Sequence, residues 1–306
     1  MLHGSLNYKN MIKNIIFYLN LYFRLFKKLS FFDFLYFTYR NFLRKLYSYY
    51  DYVFSSLCNT YSNSITNVNF NTFYSYKSKI RIKKIEFNFM NEFLKNKFRI
   101  FSNDFFDFSE IESKSKIQWI KKNINQSNIN YSMRIHNFFF KKKKYSPLRW
   151  NIDYKKNVIW KPFKFSYFIR LSSNNIGDPK IPWEISRLQH LTQLSGYYLI
   201  NPKEDVKTVI KNHLFDFIIS NPPKYGINWK SAMEVSIRGA NIVFILDLLS
   251  KKNFFSDEEI LIILNFISDH VNFVINNLEW SLVSTSNHYL SNIVGLIVMT
   301  FFYLDP

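Results

Sequence analysis

The chain has 306 residues, of which 47% are apolar and 21% charged, a balance typical of folded globular domains and unlike that of disordered chains. Its net charge of +19 is uneven: residues 1–150 hold 26 Lys and Arg against 8 Asp and Glu, and residues 151–306 hold 15 against 14. Cys58 is the single cysteine, which excludes an intrachain disulfide and a cysteine-based zinc site. The six histidines are scattered without metal-binding spacing, so we expect no metal and no cofactor.

Residues 1–150 are predicted to form a basic helical extension. Apolar and basic side chains interleave at helical spacing over residues 11–50, which predicts two amphipathic helices. Residues 59–71 have the Ser, Thr and Asn content of a loop, and residues 79–89 alternate as a strand does. The lysine run 141–144 is interpreted as part of a solvated loop.

The start of the chain has the pattern of neither a membrane span nor a clear export signal. Charged and amide side chains interrupt the apolar residues of positions 1–37, so no run reaches the ~20 residues that a spanning helix needs. Lys27 and Lys28 follow this segment in place of a small-residue cleavage site. The apolar stretch 293–304 is too short for an anchor and predicts a buried helix.

Residues 151–306 are predicted to form a domain of paired helices. Residues 148–180 have little helical period and predict an extended connection packed by aromatic side chains. Asn228 is a candidate N-cap, and Ser256 with Glu259 has capping-box spacing. Wide apolar faces and short links favour a mainly α fold, either a bundle or an α/α toroid around a cleft. The predicted helices cover residues 182–200, 205–220, 229–250 and 256–276, and a last one lies near His288.

Three blocks in this half hold polar residues that a plain helical core does not need. In the first, Glu184, Arg187 and His190 follow at i, i+3 and i+6 and can share one helix face. In the second, Glu234 and Arg238 have the spacing of an i, i+4 ion pair. The second block also contains Trp229, and the third contains Trp280, Asn287, His288 and Tyr289.

Each block also has an ordinary structural interpretation. A Glu and an Arg four positions apart on a helix are often a surface pair that contributes about 0.2–0.5 kcal/mol. A lone histidine is more often structural than catalytic, and a tryptophan is by default a core aromatic. Taken singly, these residues therefore do not separate a binding site from a well-packed core.

Taken together, the blocks are similar to segments of a known family. The stretches PWEISRLQHL, NPPKYGINWKSAMEVSIRGANIVFILDLL and NLEWSLVSTSNHYLSNIVGL resemble, in order and spacing, the heparinase II/III-like polysaccharide lyases. The segments LYFRLFKKLSFFDFLYFTYRNFLRKLY and LRWNIDYKKNVIWKPF look like weaker versions of the opening region of the same proteins, and residues 50–145 match least. The resemblance implies an α/α toroid over residues 151–306, preceded by the basic extension.

The resemblance also implies a chemistry and roles for particular residues. Lyases of this kind cleave 4-linked uronic-acid polymers by β-elimination, which needs a base for the C5 proton, stabilisation of the enolate and an acid for O4. The family's Asn-His pair matches Asn287 and His288, the expected catalytic residues. Substrate contacts are expected from the remaining polar and aromatic residues of the blocks, namely Arg238, Arg187, His190, Trp229, Glu234, Trp280 and Tyr289.

The family pattern continues beyond what this sequence contains. A catalytic tyrosine and a β-sandwich domain follow the Asn-His pair in the family, whereas this sequence ends at Pro306. We therefore expect an incomplete toroid with uncovered apolar surface over residues 287–304, little turnover by this chain alone, and a separately encoded C-terminal lyase portion as a candidate partner.

The resemblance also bears on the partner and the compartment of the protein, and other functions compete with the one it implies. The expected partner is an acidic polysaccharide, and the family's periplasmic or extracellular location is implied by resemblance only. Two alternatives remain open at this stage. One is an acidic-polysaccharide-binding protein without catalysis. The other is a nucleic-acid or membrane-surface binder driven by the basic half, which explains the charge but none of the three blocks.

Overall fold

The structure is a computed structural model that describes residues 30–68, 89–109, 116–140, 145–171, 177–250, 253–280 and 286–301. The protein is mainly helical, as the sequence predicts. The helices are α1 (Phe31–Leu57), α2 (Met90–Leu94), α3 (Lys116–Asn123), α4 (Ile129–Phe140), α5 (Lys180–Ser186), α6 (Gln189–Ile200), α7 (Glu204–Ser220), α8 (Ala232–Leu249), α9 (Asp257–Asn276) and α10 (Asn287–Phe301).

Two short antiparallel hairpins accompany the helices. Strands β1 (Lys97–Phe98) and β2 (Phe106–Asp107) pair with each other, and β3 (Ile152–Asp153) pairs with β4 (Val158–Ile159). The predicted first amphipathic helix, the lysine run 141–144 and the strand predicted over residues 79–89, apart from Phe89, lie outside the described residues. Phe89 lies in the turn before α2. The second predicted amphipathic helix is confirmed as α1.

Backbone contacts divide the chain into two units. One consists of residues 1–53 with 280–286, and the other of residues 54–279 with 287–306. In the larger unit the hydrophobic core contains Phe98 and Phe108 together with Leu214 and Phe217. The contacts thus divide the chain at a different place from residue 150, because aromatic side chains before that position fill the core built by later helices.

The core of the larger unit is centred on α7, α8 and α9. Helix α8 packs against α6, α9 and α10, and α7 packs against α4 and α6. Apolar side chains point inward around most of each helix, as Ile210, Phe215 and Ile218 do on α7. Fully burying side chains of this size contributes about 1.5–3 kcal/mol each, so this three-helix core dominates the stability of the unit. By contrast, Leu290, Val294 and Ile297 on α10 are exposed, so the helix predicted to be buried over residues 293–304 is buried only in part within its described residues.

Two predicted helix boundaries are wrong. The helix over residues 182–200 is interrupted at Leu188, whose backbone lies in the left-handed region with φ 59°. Burial of the Leu188 side chain in the core compensates for that unfavourable backbone conformation. The helix predicted from residue 229 begins at Ala232 instead, after a 3₁₀ turn over Ile227–Trp229.

The predicted caps have different outcomes. The capping box is confirmed, since the Ser256 hydroxyl accepts from the Glu259 amide and the Glu259 side chain accepts from the Ser256 amide. Asn228 does not cap a helix. Its side-chain amide is buried and donates to the carbonyl of Trp150 and to the Asn221 side chain, so it joins the 3₁₀ turn to the connection before α5.

A buried ion pair fastens the region before α5 to α7. Lys116 lies 2.8 Å from the Asp216 carboxylate, and both side chains are almost fully buried. The carboxylate also accepts from the Trp150 indole at 2.8 Å and the Leu148 amide at 2.9 Å. These donors satisfy the buried charge and join three segments of the chain.

None of the helices in the described part of the chain combines the length and apolar character needed to span a bilayer.

Candidate functional site

The N-terminal end of α8 is shaped by a carboxylate from a distant part of the chain. Helix α8 begins after Ser231, whose backbone is extended. Glu279 accepts a hydrogen bond from the Met233 amide at 2.9 Å and another from the Ser231 hydroxyl at 3.1 Å. Because the first amides of a helix lack partners within the helix and carry partial positive charge, a carboxylate there is stabilised. Glu279 therefore caps α8 and is held in a defined position.

Helix α10 is fixed against the same end of α8. The Asn292 side chain accepts from the backbone amide of Glu279 at 2.8 Å and donates to the Ser236 hydroxyl at 3.3 Å. Gly295 permits the close approach, since a Cβ at this position would lie 2.6 Å from the Cβ of Ser236. These contacts set where the first turn of α10, with Asn287 and His288, stands relative to Glu279.

Glu279 orients the predicted catalytic histidine. His288 Nδ1 lies 3.2 Å from the Glu279 carboxylate, which can only accept, so Nδ1 is the donor. In a neutral imidazole Nε2 then carries the lone pair, and within the described residues it has no other hydrogen bond. The side chain is 43% exposed, so a solute can reach the imidazole. A carboxylate behind a half-exposed imidazole is an arrangement that suits a general base.

Asn287 and Tyr289 flank this histidine in the first turn of α10. Asn287 is exposed and Tyr289 is partly buried. An exposed amide beside an imidazole can donate hydrogen bonds to a bound carboxylate. The structure thus places Asn287 and His288 at an accessible helix start.

A second charged group lies in the same region of α8. Arg187 donates to both oxygens of Glu234, at 2.7 and 2.9 Å, and to Glu184 at 2.7 Å. Hydrogen bonding to Glu234 raises the pKa of Arg187. Glu234 is buried, whereas the side chains of Arg187 and Glu184 are 24% and 28% exposed. The outer arm of this triad is therefore open to exchange with another carboxylate.

These residues define the α8 N-terminal site. Glu234 belongs to the first turn of α8 and Glu279 caps that same turn, so both charged groups are anchored at one helix end. They lie on different faces of the helix, because Arg187 packs on the side that carries Glu234 and Asn241, whereas α10 packs on the side that carries Ser236. The site consists of Glu184, Arg187, Glu234, Glu279, Asn287 and His288.

Arg238 is placed in the interior instead. Its side chain is fully buried, donates to His270 Nε2 at 2.8 Å and to the Asn228 carbonyl at 3.0 Å, and lies over the rings of Phe217 and Trp229. Burial lowers the pKa of Arg238 to about 9. The expected ion pair with Glu234 is not formed, since none of the ion pairs in the described residues joins the two side chains and Glu234 binds Arg187.

His190 and Trp229 are also interior residues. His190 follows the break at Leu188, which turns it away from the face shared by Glu184 and Arg187. It lies 3.3 Å from His213, whose other ring nitrogen lies 2.8 Å from Asn96. Trp229 is fully buried and donates to the Asn221 carbonyl. In this conformation a sugar can touch neither His190 nor Trp229 without opening the core, and the same holds for Arg238.

Trp280 belongs to the smaller unit. The Arg40 guanidinium lies 4.4 Å from the centre of its ring and donates to its backbone carbonyl at 3.2 Å. This cation–π contact uses one face of the indole, which the family resemblance implies as a substrate contact.

Glu279 and Glu184 were not among the predicted site residues. One sequence feature could have indicated Glu279, because it is a carboxylate only nine positions before His288. Among the described residues, no group of three His, Cys, Asp or Glu side chains converges as metal ligands. Comparisons of the chain with protein families, characterised proteins and solved structures find no match. The functional argument therefore depends on the geometry of this site and on the sequence resemblance.

Proposed function

We propose that this protein binds uronic-acid-containing polysaccharide at the α8 N-terminal site, and that Asn287 and His288 supply part of a β-elimination centre like that of heparinase II/III-like lyases. The observation that carries the proposal is the pairing of His288 Nδ1 with Glu279, which leaves the half-exposed imidazole with Nε2 as its other nitrogen, next in sequence to the exposed Asn287. We include in the proposal that α5 to α10 form part of an α/α toroid.

The reaction assigns one task to each group. The base removes the C5 proton, the electrons of that bond form the C4–C5 double bond, and the C4–O4 bond breaks as O4 takes up a proton from the protonated base or from water. His288 Nε2 suits the first step, because Glu279 orients the ring and stabilises the imidazolium that results. The Asn287 amide suits the uronate carboxylate, where negative charge accumulates in the enolate.

Arg187 is the cation of the site that a sugar carboxylate can reach. Its bond to buried Glu234 fixes the guanidinium, and its bond to the more exposed Glu184 occupies the arm that faces solvent. A substrate carboxylate can replace Glu184 there, because both are planar oxygen acceptors for the same donors. The proposed recognition is thus an exchange of one carboxylate for another.

The test is binding and elimination with alginate, heparan sulfate and chondroitin. Asn287→Ala and His288→Ala are compared with Asn276→Ala, a matched control at an exposed position of α9. We expect each site variant to weaken binding about tenfold, equivalent to ~1.4 kcal/mol, and the control to leave it unchanged. Any ultraviolet absorbance from unsaturated uronate should be lost first in His288→Ala.

The competing functions give different results in the same experiment. Binding that needs Asn287 but never yields unsaturated ends favours a protein that recognises acidic polysaccharide without cleaving it. Binding or turnover that survives both substitutions contradicts the proposed site.

A further inference from the structure

Helix α1 carries an exposed aromatic stripe. Its members recur at alternating steps of three and four positions, so they lie along one side of the helix. Their exposed fractions run from 43% to 80%. We call this set the α1 stripe: Phe32, Leu35, Tyr36, Tyr39, Phe42, Leu43 and Leu46.

The opposite side of α1 holds its polar residues. Thr38, Asn41 and Ser48 lie there with the basic residues Arg44 and Lys45, next to the partly buried rings of Phe34 and Phe37. The most exposed apolar side chains of α1 thus face outward, unlike those of a core helix. From Phe32 to Leu46 the stripe extends over about 21 Å at 1.5 Å per residue. Contiguous apolar surface of that length marks a site of interaction.

Charge decides between the possible occupants. Residues 1–57 contain eight Lys and Arg and two Asp and Glu, so this segment is attracted to an anionic surface. A second copy of the same helix would bring like charges together, and the positions flanking the stripe lack the paired acidic and basic residues that set helix partners. A nucleic acid needs basic side chains on the contacting face, whereas here that face is aromatic.

We propose that the α1 stripe docks on the surface of an anionic lipid bilayer, with α1 lying in the plane of the interface. Phe and Leu side chains enter the boundary between headgroups and acyl chains, and the hydroxyls of Tyr36 and Tyr39 remain at the headgroups. The basic residues of the segment add electrostatic attraction. This docking is independent of the polysaccharide site, because no residue of that site belongs to α1.

The experiment measures binding of the full chain to vesicles by flotation. Phosphatidylcholine vesicles are compared with vesicles that also contain phosphatidylglycerol. Tyr39→Ser with Phe42→Ser removes two rings from the stripe, and Asn41→Ser is the matched control on the polar side. We expect the double variant to reduce binding to the anionic vesicles about tenfold or more, whereas the control keeps it. Added salt should weaken binding by the native chain.

A second variant reports on the geometry. Phe42→Trp places an indole in the stripe, and its fluorescence should shift to shorter wavelength when anionic vesicles are added. Four results would overturn the proposal: no binding to anionic vesicles, equal binding to uncharged vesicles, self-association without lipid that the double variant abolishes, or preference for duplex DNA over vesicles. Self-association would identify a second copy as the occupant, and preference for DNA would identify a nucleic acid.

Discussion

Helix α8 carries two groups of charged side chains in opposite surroundings. Arg238 is enclosed by Phe217, Trp229 and His270. One turn earlier, Glu234 binds Arg187, which remains partly exposed. Sequence spacing treats Glu234 and Arg238 as a pair, yet the fold separates them into an interior cluster and an accessible site. The comparison teaches that polar residues on one helix acquire structural or binding roles from what packs over them.

Among the interior residues, we expect the largest loss of stability from substitution of Asp216. Asp216→Ala leaves the Lys116 ammonium buried without its carboxylate and removes the acceptor of the Trp150 indole. We expect the free energy of unfolding to fall by about 3–5 kcal/mol, measured by urea denaturation. Asp257→Ala, at the exposed start of α9, is the control and should cost less than ~1 kcal/mol. Equal losses in the two variants would show that Asp216 is not an interior anchor.

Acid should destabilise the interior of the larger unit. Burial lowers the pKa of His213 to about 4, and burial also lowers the pKa of His190 and His270 well below 6.5. The unfolded chain therefore takes up protons that the folded chain excludes, so stability falls as the pH decreases from 6.5 towards 4. For His213 alone the loss reaches about 3 kcal/mol. Asp269 has the opposite effect on stability. Burial raises its pKa, so the folded chain binds this proton more tightly than the unfolded chain does.

Urea denaturation across this pH range measures the effect. His213→Gln should reduce the slope of the free energy of unfolding against pH by about the contribution of one bound proton. A stability that is constant over the range, or a slope that the substitution leaves unchanged, would contradict the neutral buried histidines.

Glu279 links structure and function, so its substitution should affect both moderately. Glu279→Ala removes a cap of α8 and should cost about 1 kcal/mol in the free energy of unfolding. It also releases His288, so elimination or binding should fall further than the stability loss explains. Glu279→Gln separates the two effects, because the amide oxygen can still accept from Met233 but carries no charge to stabilise an imidazolium. Full activity in both variants would remove Glu279 from the site.

The smallest expected change in stability is at Glu184. Its bond to Arg187 is partly exposed, so Glu184→Gln should change the free energy of unfolding by only a few tenths of a kcal/mol. Because the substitution weakens the competitor for the arginine, we expect binding of acidic polysaccharide to become about threefold tighter, or ~0.7 kcal/mol. Titration calorimetry measures this gain, and weaker binding would show that Glu184 contributes to recognition.

The sequence predicts much of the helical framework. The period of apolar residues identifies α1, α7 and α9, and the spacing of Ser256 and Glu259 identifies a cap, because these are local signals. The break at Leu188 could not be read locally. A buried leucine in a left-handed conformation is stable only because of the core that surrounds it.

The candidate site was predictable in part. Asn287 and His288 are adjacent in sequence, so both lie in the first turn of any helix that begins there. Glu279 could not be assigned, because its contact with the start of α8 joins residues 46 positions apart. The same limit applies to Arg238, since periodicity does not show that a charged side chain will be enclosed by aromatic rings from α7 and the 3₁₀ turn.

The most direct measurement compares a short oligouronate with the same oligosaccharide after reduction of its carboxylates, using the native chain and Asn287→Ala. Calorimetry gives four binding free energies, and their combination isolates the coupling between the amide and the carboxylate. The account predicts coupling of about 1 kcal/mol or more, with unfolding of the variant unchanged within ~0.5 kcal/mol. Zero coupling, with both ligands losing the same affinity in the variant, would contradict carboxylate recognition at the start of α10.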